Sequence, residues 1–454
     1  AGVDRLLAGA LYVNVHSAAV PSGELRGQVL PQDFVLRFTD LQGFAAVPQV
    51  DSAAGGRAAV TLNEVTGAIV VQANVTGLDD ATQAHVHEAY AGSTGPVLVA
   101  LNQDGGQAGR WFVENGVLNE AGLGAFAAGR LYVNVHSPAN PGGELRGQIA
   151  PDGVNVLYTE LSGEQAVPVL DTRAGGLAAV TLDATASLVT IHVNTQRLDD
   201  ATGAHLHGAF AGSTGPVEIG LTQDGSDPAH WFAEEQPLDA AQLDSVLAGA
   251  TYVNVHTPAN PGGEVRGQVI PSNILFAYGR LDGDQVIPPV ATAAGGSFAV
   301  TVDPDALTLV AHANATGAAD ATAAHLHDGY AGSGGGVSVA LVQDATDTAR
   351  WSADGVAIDA AQLEAFRAGR LYVNVHTPAN PSGEIRGQVA PPPVEVLFTM
   401  LSGDQEVPEV ASAASGMAAT TVNRDTGEVT LHLRTSGAVD ATGSHIHGAY
   451  AGQN

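Results

Sequence analysis

The sequence predicts an all-β protein built as a tandem array of antiparallel β-sandwiches of 120 residues, each with one short helix. Two observations carry this. First, Tyr-Val-Asn-Val-His occurs four times in one register, at Tyr12–His16, Tyr132–His136, Tyr252–His256 and Tyr372–His376. A His-x-His phrase keeps the same spacing at His85/His87, His205/His207, His325/His327 and His445/His447. A fixed period of this length makes the repeat the unit of fold and of chemistry. Second, short apolar segments alternate in period two between frequent Gly and Pro turns, with a single helical stretch per unit, which reads as a sandwich.

The unit from 152 to 271 serves as template. Val156 to Leu161 reads as a strand ended by Ser162-Gly163. Leu177–Leu182 and Leu188–Asn194 form a hairpin. In its second strand Val189, Ile191 and Val193 alternate with Thr190, His192 and Asn194, the mark of a half-buried strand. Ala204–Phe210 carries His-x-His, and Val217–Leu221 is a further apolar strand. The helix is placed at Asp239–Leu247, with Leu243, Val246 and Leu247 on one face and Gly249 as its C-cap. Tyr252–His256 and Glu264–Val269 close the unit.

The array divides into 1–31, the C-terminal part of one repeat; 32–151, 152–271 and 272–391, three full repeats; and 392–454, the N-terminal part of another. The sequence is read as an excerpt of a longer array rather than a subunit cut mid-domain. Short proline-bearing joints (Pro31-Gln32-Asp33, Pro151-Asp152-Gly153, Pro271-Ser272-Asn273, Pro391-Pro392-Pro393) restrict pivoting, so a semi-rigid rod is expected.

The formal charge is −30, from 47 acidic residues against 17 basic ones, all arginine. That balance argues against nucleic acid and anionic membranes as partners. Cysteine is absent, which removes disulfides, thiolate metal ligands and thiol nucleophiles. No apolar run approaches the ~20 residues that span a bilayer.

In a strand, residues i and i+2 share a face. His85 and His87 therefore project together, as do Tyr132, Asn134 and His136. If the two strands are neighbours, three imidazoles converge, a ligand set with an open position that suits copper or zinc. The predicted metal ligands are His85, His87 and His136; His205, His207 and His256; His325, His327 and His376. His16, His445 and His447 in the partial units complete the set. Tyr132, Asn134 and Asp104, Tyr252, Asn254 and Asp224, and Tyr372, Asn374 and Asp344 are expected to stand behind the ligands and orient them. His192, His312 and His432 read as exposed strand positions or supporting groups, because Gln72 fills their slot in the first repeat. His230 occurs once, with Arg110 and Arg350 in its slot, and reads as a bystander. Trp111, Trp231 and Trp351 read as core anchors. Glu144 with Arg146, and Glu264 with Arg266, read either as surface polar pairs or as charges near the metal.

These phrases resemble the CHRD (chordin-type) domain. The resemblance rests on Leu161–Pro168 (Leu-x-Gly-x-x-x-Val-Pro), the His-x-His strand, Gly215-Pro216-Val217, and the long phrase Tyr252–Gln268, and it covers the whole chain. The first copy departs at Ser17–Ser22, and the third has Gly334-Gly335-Gly336 where the others have Thr-Gly-Pro; both changes touch turns. The resemblance implies an extracellular or cell-surface β-sandwich. A fainter similarity is to copper–zinc superoxide dismutases, in the His-x-His strand and Gly143–Arg146, so each sandwich is expected to be Ig-like or superoxide-dismutase-like. The zinc loop and the disulfide cysteines of most such enzymes are missing.

The function expected is that of an extracellular structural polymer, not an enzyme, whose repeats each bind one metal ion, copper or alternatively zinc, and whose partners are further copies of the same repeat or chain. The alternatives are a superoxide dismutase-like copper enzyme and a calcium-dependent adhesin; no EF-hand or Gly-Asp nonapeptide loop supports the last.

Overall fold

The computed structural model describes residues 2–448, 450, 451 and 453. They fall into two compact units: residues 1–160, 175–204 and 219–243 in one, residues 161–174, 205–218 and 244–454 in the other. The first unit holds the first complete repeat and the second unit the third, while the middle repeat supplies segments to both.

Ahead of the first complete repeat lie α1 (Gly2–Leu7) and the hairpin β1 (Leu11–Val15) with β2 (Leu25–Val29). The repeat itself consists of β3 (Phe34–Gln42), β4 (Gly55–Asn63), β5 (Ala68–Thr76), β6 (Gln83–Glu88), β7 (Val97–Asp104), β8 (Gln107–Val117), α2 (Glu120–Ala127), β9 (Leu131–His136) and β10 (Leu145–Ile149). Each is short and turn-bounded, as the Gly/Pro punctuation requires. All pairs are antiparallel, in the order β10-β3-β4-β5-β8-β7-β6-β9, with β9 returning to β10. The expected sandwich is therefore closed at its edges into a barrel. The seam is thin, a single residue pair, Arg146 with Gln42.

The middle repeat has the same strand order. In the third repeat the eight strands follow it again, and the first and last are joined by an isolated bridge between Asp282 and Arg386. At the far end, Val394–Ser402, Ser415–Asn423 and Val429–Ser436 form a three-stranded sheet.

The core follows the period-two pattern. In the first repeat Val60, Leu62, Ile69, Val71, Ala84, Val86, Val133, Val135, Leu145 and Ile149 are buried in one cluster with Trp111 and Phe126. The third repeat packs an equivalent cluster around Phe298, Trp351 and Phe366. The tryptophans are core anchors as expected.

The predicted elements of the template map onto Val154–Ser162, Gly175–Asp183, Leu188–Gln196, Gly203–Gly208, Val217–Gln223, Ala240–Leu247, Thr251–His256 and Val265–Val269. On the helix, Val246 is buried, Leu243 is half-buried and Leu247 is exposed. Gly249 takes the positive φ, 71°, of a helix C-cap.

Two expectations need correction. The strand His230–Pro237 was not predicted. It pairs with Leu188–Gln196 through a register shift between Val189 and Ile191, and a bulge of this kind breaks the alternation by which a strand is recognised. Second, His192 is not an exposed strand position: it is 1% exposed. His312 and His432 are half-buried. In the middle repeat the face that His192 occupies is covered by the loop around Gly92 of the preceding repeat, so that strand is buried on both sides.

Candidate metal centre

The triad follows from strand register. In β6 and β9, His85 lies opposite Asn134, His87 opposite Tyr132 and Gln83 opposite His136. Ala84 and Val86 are fully buried, so alternation turns His85 and His87 to the other face. His136 is the diagonal neighbour of His85 on that face, within reach of a side chain as long as imidazole. Ring centroids are 5.4 Å apart for His85 and His87, 5.0 Å for His85 and His136, and 5.7 Å for His87 and His136. The corresponding distances are 5.6, 4.9 and 5.7 Å among His205, His207 and His256, and 5.5, 5.1 and 5.6 Å among His325, His327 and His376. In all three groups one nitrogen per ring lies within 4.8 Å of the others, and no carboxylate joins the group.

Backbone carbonyls fix the tautomers. His87 Nδ1 donates to Gly95 O at 3.0 Å, His207 Nδ1 to Gly215 O at 3.0 Å and His327 Nδ1 to Gly335 O at 3.1 Å. His136, His256 and His376 donate from Nδ1 to Pro141 O, Pro261 O and Pro381 O at 3.0, 3.0 and 3.1 Å. A carbonyl only accepts, so in the neutral ring Nε2 holds the lone pair. His87 Nε2, His207 Nε2 and His327 Nε2 are buried without a hydrogen-bond partner. His136 Nε2 faces His85 Nδ1 at 3.1 Å, and His376 Nε2 faces His325 Nδ1 at 3.2 Å. Two nitrogens each about 2.0 Å from a shared metal lie roughly 3 Å apart. Three neutral nitrogen donors fit a borderline ion such as Cu(II) or Zn(II) and not calcium, which needs oxygen ligands.

Burial, before any other cause, pushes His85, His87 and His136 below the ordinary histidine range, and the neighbouring imidazoles push His85 further. A group whose native pKa lies below its unfolded value contributes stability that is present above the unfolded value and lost as pH falls. Metal-free protein should therefore begin to lose thermal stability as pH drops through 6.5, the ordinary value, toward the lowered native values. A scan of Tm from about pH 8 to about pH 5 checks this; replacing the triad histidines with glutamine should reduce the slope, leaving the part due to the buried His192 and His312, and an already flat profile would refute it.

Behind the three imidazoles the expectations divide. Tyr132 stacks on His87 at 5.0 Å and 15°, and its hydroxyl accepts from Gly95 N. Tyr252 and Tyr372 stack likewise on His207 and His327. Asn134, Asn254 and Asn374 donate to Gly142 O, Gly262 O and Ser382 O, holding the turn that carries the accepting proline carbonyl. Asp104, Asp224 and Asp344 spend their carboxylates away from the triad histidines. They sit at the far-end turn of the strand next to the His-x-His strand, where their carboxylates accept from Gly106 N, Ser226 N and Thr346 N. Asp104 also pairs with Arg110 at 2.7 Å.

His230 is no bystander: its Nε2 meets His192 Nδ1 at 3.0 Å, and its Nδ1 meets Asp224 at 3.2 Å. Arg110 holds the same place in the first repeat, donating to Gln72 and Asp104. Nor are Glu144 and Arg146 a surface pair. Glu144 accepts from Ser52, Ser137 and Asn140, and Glu264 accepts from Thr172, Thr257 and Asn260. Arg146 and Arg266 are buried, with their guanidiniums 3.6 and 3.5 Å from the ring centres of Tyr132 and Tyr252.

In the partial units, His16 keeps its bond to Pro21 O, and His445 and His447 lie with ring centroids 5.9 Å apart. Neither set joins a three-histidine group among the described residues. Sequence reasoning missed the accepting carbonyls of Gly95 and Pro141, although the recurring turn phrases around them were the available signal.

The architecture is thus that of tandem small β-barrels, each complete one carrying three convergent imidazoles. The CHRD domain model matches residues 1–29, 38–149, 157–269, 279–389 and 397–454, and the chain belongs to the CHRD domain family. It is 28% identical to chordin of Xenopus laevis over 254 residues, 50% of this chain and 26% of that protein. It is 28% identical to chordin of Danio rerio over 159 residues, 31% of this chain and 16% of that protein. The aligned part is thus about a quarter or less of either relative. The WD40 domain of SCAP from fission yeast aligns with 89% of this chain and 91% of its own, at 7% identity and a TM-score of 0.17, too low to bear on the fold.

Proposed function

We propose that this chain is part of an extracellular or cell-surface structural protein, a rod or filament of CHRD repeats in which each complete repeat holds one copper ion. His85, His87 and His136 would be the ligands in the first repeat, with His205, His207 and His256, and His325, His327 and His376, in the next two. One observation carries the metal reading. In three repeats, carbonyls commit Nδ1 of two imidazoles to donation, and a lone pair on His87, His207 or His327 is left buried without a partner. Buried polar atoms are almost always paired, so an orphan repeated three times points to a missing ligand. Copper bound there would supply an electrophilic, redox-capable centre; zinc is the alternative, and would supply a structural clamp.

A chain made throughout of CHRD repeats favours a structural role over superoxide chemistry. Similarity to chordins supports an extracellular setting. Among the described residues no helix is long and apolar enough to cross a membrane. The net charge of −30 keeps such an array soluble and draws cations toward it. Self-association through further copies of the repeat would extend the rod.

Elemental analysis of the purified chain tests the metal reading. The three complete triads should yield about three copper ions per chain, and His205→Ala/His207→Ala should remove one. A chain that takes up no copper or zinc would overturn the reading.

A further inference from the structure

Beyond each His-x-His strand lies a four-residue loop: Tyr90–Ser93, Phe210–Ser213 and Tyr330–Ser333. Its glycine is seated on the following repeat. A Cβ added at Gly92 would lie 2.8 Å from His192 Cβ and 3.0 Å from Ala179 Cβ. Gly92 O accepts from Asn194 Nδ2 at 2.8 Å. Gly212 meets His312 and Ala299, and accepts from Asn314; Gly332 meets His432 and Ala419, and accepts from Arg434. At the first of these junctions Tyr90 also donates its hydroxyl to Glu235 at 2.9 Å.

The same loop is held from inside its own repeat by the buried arginine. Arg146 donates to Ser93 O and Tyr90 O, Arg266 to Ser213 O and Phe210 O, and Arg386 to Ser333 O and Tyr330 O. Each guanidinium lies 3.5–3.6 Å over the tyrosine ring that stacks on a triad histidine. These cations are buried against carbonyl and aromatic partners, and burial pushes Arg266 and Arg386 down to about 10. Burying a cation this way is a costly means of gaining stability alone. A continuous stack thus runs from the imidazole through phenol and guanidinium to the loop carbonyls and on to the next repeat.

We propose that Arg146, Arg266 and Arg386 are positioning residues that couple each metal triad to the junction with the following repeat, so that filling the triad tightens that junction. The proposal rests on the metal reading above. A metal bond to His87 would fix the imidazole plane; the stacked Tyr132 ring and guanidinium then lose freedom, and the loop carbonyls they hold are pinned against His192 and Ala179. Coupling through contiguous packed groups of this kind is the physical form that linkage between sites takes.

Hydrogen exchange on the whole chain, metal-free and copper-loaded, with copper counted in the same samples, tests this. Copper should slow exchange at Tyr90–Ser93, Phe210–Ser213 and Tyr330–Ser333 by about fivefold or more, the lower range of coupling between sites. Arg146→Lys keeps the positive charge and loses the two-pronged grip. It should leave about three copper ions bound and abolish the slowing at Tyr90–Ser93 alone, with the other two loops as internal controls. An arginine with a purely structural role would instead speed exchange equally with and without copper. Three bound copper ions with unchanged exchange in the natural chain, or slowing that survives in Arg146→Lys, would overturn the coupling while leaving the metal reading intact. Absence of bound copper would overturn both.

Discussion

Copper-loaded chain should melt well above metal-free chain. A ligand that binds only the folded state stabilises it by RT ln(1 + [L]/Kd), about 4 kcal/mol per site when free copper exceeds Kd a thousandfold. For domains of this size each kcal/mol is worth several degrees, so the shift should reach roughly ten degrees or more. The triads are separate sites on separate barrels, and repeat arrays need not unfold in one step. Calorimetry should therefore resolve His205→Ala/His207→Ala as a loss confined to one part of the transition. The gain has a pH sign as well. Ligating imidazole must be neutral, so the copper-induced shift should shrink once pH falls below 6.5 into the lowered native range of these histidines, where protons compete for the same lone pairs. Superimposable melting curves at saturating copper, measured near neutral pH, would contradict a metal centre in this fold.

Gly212→Ala should destabilise the protein by about 3 kcal/mol, far more than a methyl group on a surface loop normally does. Gly212 has φ +79°, a conformation that costs an L-residue about 1–2 kcal/mol. The added Cβ would stand 2.8 Å from His312 Cβ and 3.3 Å from Ala299 Cβ. Both of those atoms are fixed to paired strands, since Ala299 and His312 face each other in register, so neither can yield as a flexible side chain would. Overpacking of this kind costs about 1–3 kcal/mol. Gly355→Ala is the matched control, because Gly355 also has a positive φ, +63°, and a Cβ there meets nothing within 4 Å. Denaturant unfolding of the two variants would refute the seated-loop description if their midpoints agreed.

Much of the site was legible because it depends on local rules. Alternation puts His85 with His87 and Tyr132 with His136 on strand faces before any fold is known, and the 120-residue spacing shows that the set recurs. What no local rule supplies is that β6 and β9, more than forty residues apart, are neighbours in a register that sets His136 diagonal to His85. The misreadings share one cause. His192 looks like an outward strand position within its own repeat and is buried by the repeat before it. Arg146 reads as half of a surface pair or as a charge near the metal; the surface alternative fails because a loop fifty residues earlier in the chain encloses it. Asp104 looks close to the histidines and spends its carboxylate on its own turn and on Arg110.

The chain's period, its β class, its helix and the face each histidine takes all follow from side-chain spacing and turn chemistry, which act over a few residues. The convergence of three imidazoles, their tautomers and the arginine beneath them follow from strand order and from carbonyls brought in by distant turns. Such contacts are set by how the barrel closes and how one repeat seats on the next, and a pattern read along one strand carries no record of its neighbours.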